Sequence, residues 1–212
     1  MVDKRTIHKL SDSMHGYDCP LCTLLESMNN DHIRILLYES VNDRTLRKRF
    51  LQDEGFCAFH AKKVLNEGAP LNHAILYDAL LEEKLKSYQK DKPLIKKTDC
   101  LFCEKERDNE AYLIKAFIDG MNEEDFVARY KEEGLLCFAH LDPINAQLKR
   151  DKHKRNLIKT ITLEKYNALS TIFKSIKMKH DYRYSGTSWT EEERKLWQEA
   201  VKLLIQNNDH RE

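Results

Sequence analysis

Glycine and proline are scarce in this chain, at six and four of 212 residues. Turn-forming residues are therefore too few for a protein of many short strands. Period-2 strands joined by hairpin dipeptides are absent as well, which excludes a sandwich or barrel. No apolar run reaches the ~18 residues a bilayer-crossing helix needs. The opening stretch, residues 1–18, has no apolar core of the kind a secretory leader carries, so the expectation is a cytoplasmic protein. Charge of one sign is lacking too. Lys plus Arg number 36 and Asp plus Glu 35, so no global field gathers nucleic acid or an anionic membrane. Zinc-protease, hydrolase-elbow, P-loop and dinucleotide-loop patterns are all missing, which argues against an enzyme of those classes.

Cysteine is sparse but ordered. All six fall in one pattern that occurs twice. Cys19-Pro20-Leu21-Cys22 is followed at a distance by Gly55-Phe56-Cys57 and His60. Cys100-Leu101-Phe102-Cys103 is followed, after almost the same gap, by Gly134-Leu135-Leu136-Cys137 and His140. Each half thus reads CxxC then CxxH: three thiols and one imidazole, the donor set of a closed tetrahedral zinc site. A reducing compartment and this spacing favour metal over disulfides. Two zinc ions are expected, with an iron–sulfur cluster as the rival occupant, because thiolate-rich sites suit both. Pairing of CxxC with the CxxH of its own half is the favoured arrangement. A cross-braced arrangement uses the same residues.

Helical periodicity runs nearly throughout. Leu21, Leu24, Leu25, Met28, Ile35 and Leu36 mark one face of a helix over 19–41, with Pro20 in its first turn. Asn42 is placed as N-cap of a second helix ending at Gly55. A third helix spans Cys57 to near Gly68, and a fourth follows Pro70. The second half repeats the plan at an offset of about 80 residues: Asn122 matches Asn42, Tyr130 matches Phe50, Cys137 matches Cys57 and His140 matches His60. One extra residue separates Gly134 from Cys137, and after Pro143 the copies diverge. A long helix is expected over 151–179. Thr190 and Glu193 form a capping box for a last helix running to about Gln206. The fold class is therefore all-α and internally duplicated. The divisions are 1–92, 93–150 and 151–212, within one compact domain overall.

Each motif is placed at a helix start, where free N–H groups and the positive end of the helix dipole favour thiolates. Three thiolates and an imidazole around Zn²⁺ leave a net charge of −1, which those groups offset. Of the remaining histidines, His32 and His73 read as ordinary helix residues, and His15 is a reserve ligand. The basic run Lys149 to Arg155 reads as a solvated helix end rather than a phosphate-binding surface. Tyr182, Arg183, Tyr184 and Trp189 form a C-terminal cluster that docks the last helix and offers a partner or ligand contact.

The two CxxC and CxxH motifs, together with His180 to Arg183 ahead of a Trp-bearing helix, resemble an uncharacterised family of cytoplasmic proteins from mainly anaerobic bacteria. That resemblance implies metal binding and an all-helical fold, with no established reaction. Three function classes follow: a metal-stabilised interaction or regulatory scaffold, which the filled donor sets favour; a redox or metal sensor acting through labile sites; and an enzyme with an unmarked pocket. The expected partner is a protein, with neither membrane nor nucleic acid.

Overall fold

The computed structural model describes residues 3–93, 99–181, 183 and 188–204. Ten α-helices occur among them, with no β-strand. They are α1 (Lys4–Asp12), α2 (Pro20–Arg34), α3 (Arg44–Gln52), α4 (Ala58–Asn66), α5 (Pro70–Tyr88), α6 (Leu101–Gly120), α7 (Glu124–Glu133), α8 (Phe138–Gln147), α9 (Lys152–Lys179) and α10 (Glu191–Leu204). The all-α, duplicated reading holds. None of the described helices is long and apolar enough to cross a membrane.

Local chemistry explains most boundaries and corrects several expected ones. The side chain of Asp43, not Asn42, accepts from the Leu46 N–H and starts α3. The two side chains are equally long, and it is residue 43 whose extended backbone holds the N-cap position at the free N–H groups of the first turn. Asn122 does not cap α7; its amide donates to the Asp119 carbonyl at 2.9 Å, while Glu123 holds the N-cap position. The single helix expected over 19–41 is instead α2 followed by a π-helical segment, Ile35–Ser40. That wider turn lets the adjacent Leu36 and Leu37 both enter the core. Helix α1 is an addition. Asp3 caps it and Ile7 and Leu10, three residues apart, are its buried contacts. The Thr190–Glu193 capping box forms as expected. The Glu193 N–H donates to Thr190 Oγ1 at 3.1 Å, and the Thr190 N–H to Glu193 Oε2 at 2.8 Å.

The helices gather into two units. Among the described residues one holds 3–24 with 112–204, the other 25–111. The chain therefore passes between units inside α2 and inside α6. In the first unit Leu10, Met14, Leu113, Phe117, Tyr130, Leu136, Ile144 and Ile158 are fully buried. Phe117 meets Tyr130 and Phe126 edge-on, at 5.1 and 5.6 Å between ring centres. In the second, Ile33, Leu37, Phe50, Val64 and Leu76 pack with Cys100, Phe102 and Cys103. Each such side chain contributes about 1.5–3 kcal/mol on burial.

The glycines that precede the two CxxH motifs are required for different reasons. Gly55 has φ +95°, a conformation that L side chains rarely adopt. Gly134 has φ −86°, open to any residue, but a Cβ there runs into the Tyr130 ring. Equivalent positions in the duplication thus keep the same residue under different constraints.

Candidate metal centres

Four helix starts carry the eight donors. Cys19 and Cys100 sit immediately before α2 and α6, and their carbonyls accept from the N–H groups of Thr23 and Glu104. Cys57 and Cys137 are the N-cap residues of α4 and α8. The sulfur of Cys57 accepts from the His60 N–H at 3.5 Å. Placing the motifs at helix starts was legible in the sequence.

The pairing was not. Cys19, Cys22, Cys137 and His140 form one cluster, and Cys57, His60, Cys100 and Cys103 the other. Each CxxC joins the CxxH of the opposite half, so the favoured within-half pairing is overturned. Helix lengths are unequal within each half. From Pro20 to Ser40 the helical path spans about 30 Å, whereas α3 spans only about 13 Å. A tight turn closes α3, with the Gly55 N–H on the Phe50 carbonyl at 2.8 Å. The second half repeats the mismatch: α6 has 20 residues and α7 has 10.

Donor spacing fits a tetrahedral ion. Zinc bonds of about 2.3 Å to sulfur and 2.0–2.1 Å to nitrogen set S···S edges of about 3.8 Å and S···N edges of about 3.6 Å. In the first unit Cys22 and Cys137 sulfurs are 3.6 Å apart, and His140 Nδ1 lies 3.5, 3.3 and 3.2 Å from Cys19, Cys22 and Cys137. In the second, the Cys100–Cys103 and Cys103–Cys57 separations are 3.5 and 3.7 Å, with His60 Nδ1 at 3.2–3.4 Å from all three sulfurs. A disulfide needs about 2.05 Å; all six cysteines are free. Both histidines turn Nδ1 toward the sulfurs.

The electrostatics call for a cation. Burial opposes charge on His60, but its hydrogen bond with Cys100 and the Glu106 carboxylate 3.4 Å away outweigh it and raise its pKa to about 10. His140 is likewise raised to about 10, against burial, by Cys137 and Cys19. In return Cys100 is drawn down to about 6: burial pushes it up, and His60 with the Cys57 and Cys103 backbone pulls harder. Cys137 is driven well below the ordinary thiol range by hydrogen bonds from Cys19 and Cys22. Left to themselves, the four donors of each site keep a thiolate beside an imidazolium. A metal ion replaces that proton's charge.

Supporting residues differ between the sites, and sequence reasoning missed them. In the first unit, Lys165 Nζ of α9 donates to the carbonyls of Gly134, Glu132 and Tyr130 at 2.8, 3.1 and 3.4 Å, tying off the end of α7. Next to it the Tyr166 hydroxyl donates to the Leu136 carbonyl at 3.0 Å, and its ring stacks on Phe138 at 4.6 Å. These contacts hold the approach to Cys137 from both sides. In the second unit the equivalent lysine, Lys84, bonds Glu54 Oε2 at 2.6 Å. An offset of 81 sets Lys84 against Lys165, as it sets Cys22 against Cys103, while the intervening CxxH motifs stand at 80. His60 Nε2 lies 3.4 Å from Glu106 Oε2, and Asn29 donates to Glu106 Oε1 at 2.7 Å. The signal available in the sequence was an acid three residues, one helical turn, after Cys103.

The remaining candidates fall outside the clusters. His15 is exposed and belongs to neither. His32 meets Asn109 at 3.5 Å, and His73 lies beside the Tyr77 ring. Arg183 closes on Asp181, and Trp189 packs edge-on against His180. Tyr182 and Tyr184 lie outside the described residues. Lys152, His153 and Arg155 of the basic run are exposed on the first turn of α9, and Lys154 is tied to the capping Asp151.

Residues 5–98 match the family model described as Family of unknown function (DUF6062). A relative from Caldicellulosiruptor sp. (strain Rt8B.4), described as an uncharacterized 23.9 kDa protein in the xynA 3′ region, is 32% identical over 192 residues. The alignment covers 88% of this chain and 94% of the relative. The chain belongs to this family. The segment matched by the family model ends before Cys100. It therefore holds half of each donor cluster and completes neither. No solved structure matches the chain.

Proposed function

We propose that the protein binds two zinc ions in structural Cys3His sites and works in the cytoplasm as a helical interaction or regulatory scaffold, with a protein as its partner. The observation that carries this reading is the donor geometry. Four protein donors at tetrahedral spacing fill a zinc shell, whereas a catalytic zinc keeps a position for water. Bound in this way, zinc supplies cross-links and charge rather than chemistry. A cleft of about 550 Å³ in the first unit, lined by Met121, Glu123, Lys131, His153 and Lys154 among others, includes none of the eight donors. It gives an enzymatic reading no metal to work with.

Metal analysis and an absorption spectrum on anaerobically purified protein test the proposal. Two colourless zinc ions per chain are expected. Brown protein with visible absorption transfers the sites to iron–sulfur chemistry and overturns the zinc assignment.

A sensor reading has one observation of its own. Cys22 and Cys57 are only partly buried, and their sulfurs lie 3.6 and 3.7 Å from those of Cys137 and Cys103. Reversible zinc release under mild peroxide, with a change in helix content, supports sensing. Sites inert to oxidant leave the scaffold.

A further inference from the structure

His60 is almost wholly buried, and Glu106 behind it is 15% exposed. A buried carboxylate needs compensation. Two neutral or cationic neighbours supply it here, the His60 ring at Oε2 and the Asn29 amide at Oε1. The three residues come from α4, α6 and α2, so no single helix turn forces them together. Asn29 is itself 5% exposed, and its amide fixes which oxygen Glu106 turns to the ring.

Imidazole has two nitrogens and, when neutral, one proton. A carboxylate at Nε2 keeps the proton there and leaves the Nδ1 lone pair for an ion. Nδ1 is the atom that faces Cys57, Cys100 and Cys103. The arrangement therefore selects the ligating tautomer and makes the ring a stronger donor. The first half has no acid at this position: three residues after Cys22 stands Leu25.

Resting on the zinc reading above, we infer that Glu106, oriented by Asn29, is a positioning residue that tightens divalent-metal binding at the Cys57–His60–Cys100–Cys103 site and not at its counterpart. Outer-shell partners of this kind are worth about 10–100-fold in metal affinity. Glu106→Gln keeps the size and an acceptor oxygen and removes the charge.

The experiment uses the full chain, loaded with zinc for chelator competition and with cadmium for NMR. Wild type is expected to take up two ions and to give two cadmium resonances. In E106Q one resonance moves, and one zinc ion transfers to the chelator at roughly 10–100-fold lower chelator concentration. The other ion is the internal reference and stays put. Asn29→Ala is expected to move the same resonance by less, which covers the case of a poorly folding E106Q. Equal weakening of both ions, or two unmoved resonances, overturns the role of Glu106. A wild-type protein that takes up no ion overturns the zinc reading on which it rests.

Discussion

The two clusters have the same donors, the same motifs and the same Nδ1 orientation, yet they are supported differently. Around Cys137 and His140, α9 does the work through Lys165 and Tyr166, which seize backbone carbonyls. Around His60 and Cys100, the support is a side-chain relay, Asn29 to Glu106 to His60, within a shell of Phe50, Phe56, Phe102 and Tyr77. The contrast separates what coordination requires from what the surroundings leave open. Four donors at tetrahedral spacing recur. The means of holding them has drifted between the halves.

Removing metal is the largest perturbation to this comparison. Structural zinc in finger peptides contributes about 10–16 kcal/mol, against a total domain stability of about 5–15 kcal/mol. Chelation is expected to cost helical circular dichroism in both units and to lower Tm sharply. An unchanged melting curve after verified removal would place the stability in the apolar cores instead.

Ligand pairs come next. Once Cys19→Ser has disabled the first-unit site, adding His140→Ala is expected to cost little more, because both remove one ion. Adding His60→Ala is expected to cost a second full loss, because it disables the other site. A thermodynamic cycle measures the difference as coupling beyond the usual ~0.5 kcal/mol of additivity error. Coupling of Cys19 to His60 instead of His140 would restore the within-half arrangement.

The two lysines give a smaller effect. Lys165→Met removes a donor shared by three carbonyls, of which that of Tyr130 keeps the Gly134 N–H, and is expected to cost about 1–3 kcal/mol. Lys84→Met removes, among its contacts, a partly exposed ion pair with Glu54 and is expected to cost about 0–1 kcal/mol. Chemical denaturation of the two variants side by side checks the ranking, and equal losses would mean the supports are interchangeable.

Smallest is an acid-sensitive contact with no described equivalent in the second unit. Lys179, Ser175 and the Thr190 N–H together hold Glu193 at about 2, below the ordinary 4.5. A carboxylate depressed on folding stabilises fully above about 4.5, and that contribution fades as pH falls toward 2. Docking of α10 on α9 is expected to weaken across that interval. Both tryptophans, Trp189 and Trp197, lie at or in α10, so their fluorescence reports it. Glu193→Gln should flatten the profile; a wild-type profile already flat across that range would count against the contact.

Much of this was legible in the residues themselves. Helix starts at Pro20, Cys57, Pro70 and Thr190, the stop at Gly55 and all eight donors follow from local chemistry. What stayed hidden depends on distance through space. Asn42 and Asp43 compete for one cap, and only the backbone path decides between them. The donor pairing joins motifs from opposite halves, and local chemistry does not distinguish it from the within-half alternative. Glu106 shows as a ligand's partner only when His60 arrives from another helix.

Cross-bracing has a consequence for how the protein is made. As the chain leaves the ribosome, the first CxxC emerges long before the CxxH that completes its cluster. The cluster around His60 is the first to have all its donors, once Cys103 has been added, while Cys19 and Cys22 wait until His140. The chain's earliest cysteines are thus the last to find their partners, and a fragment cut between the halves inherits two half-sites and no whole one.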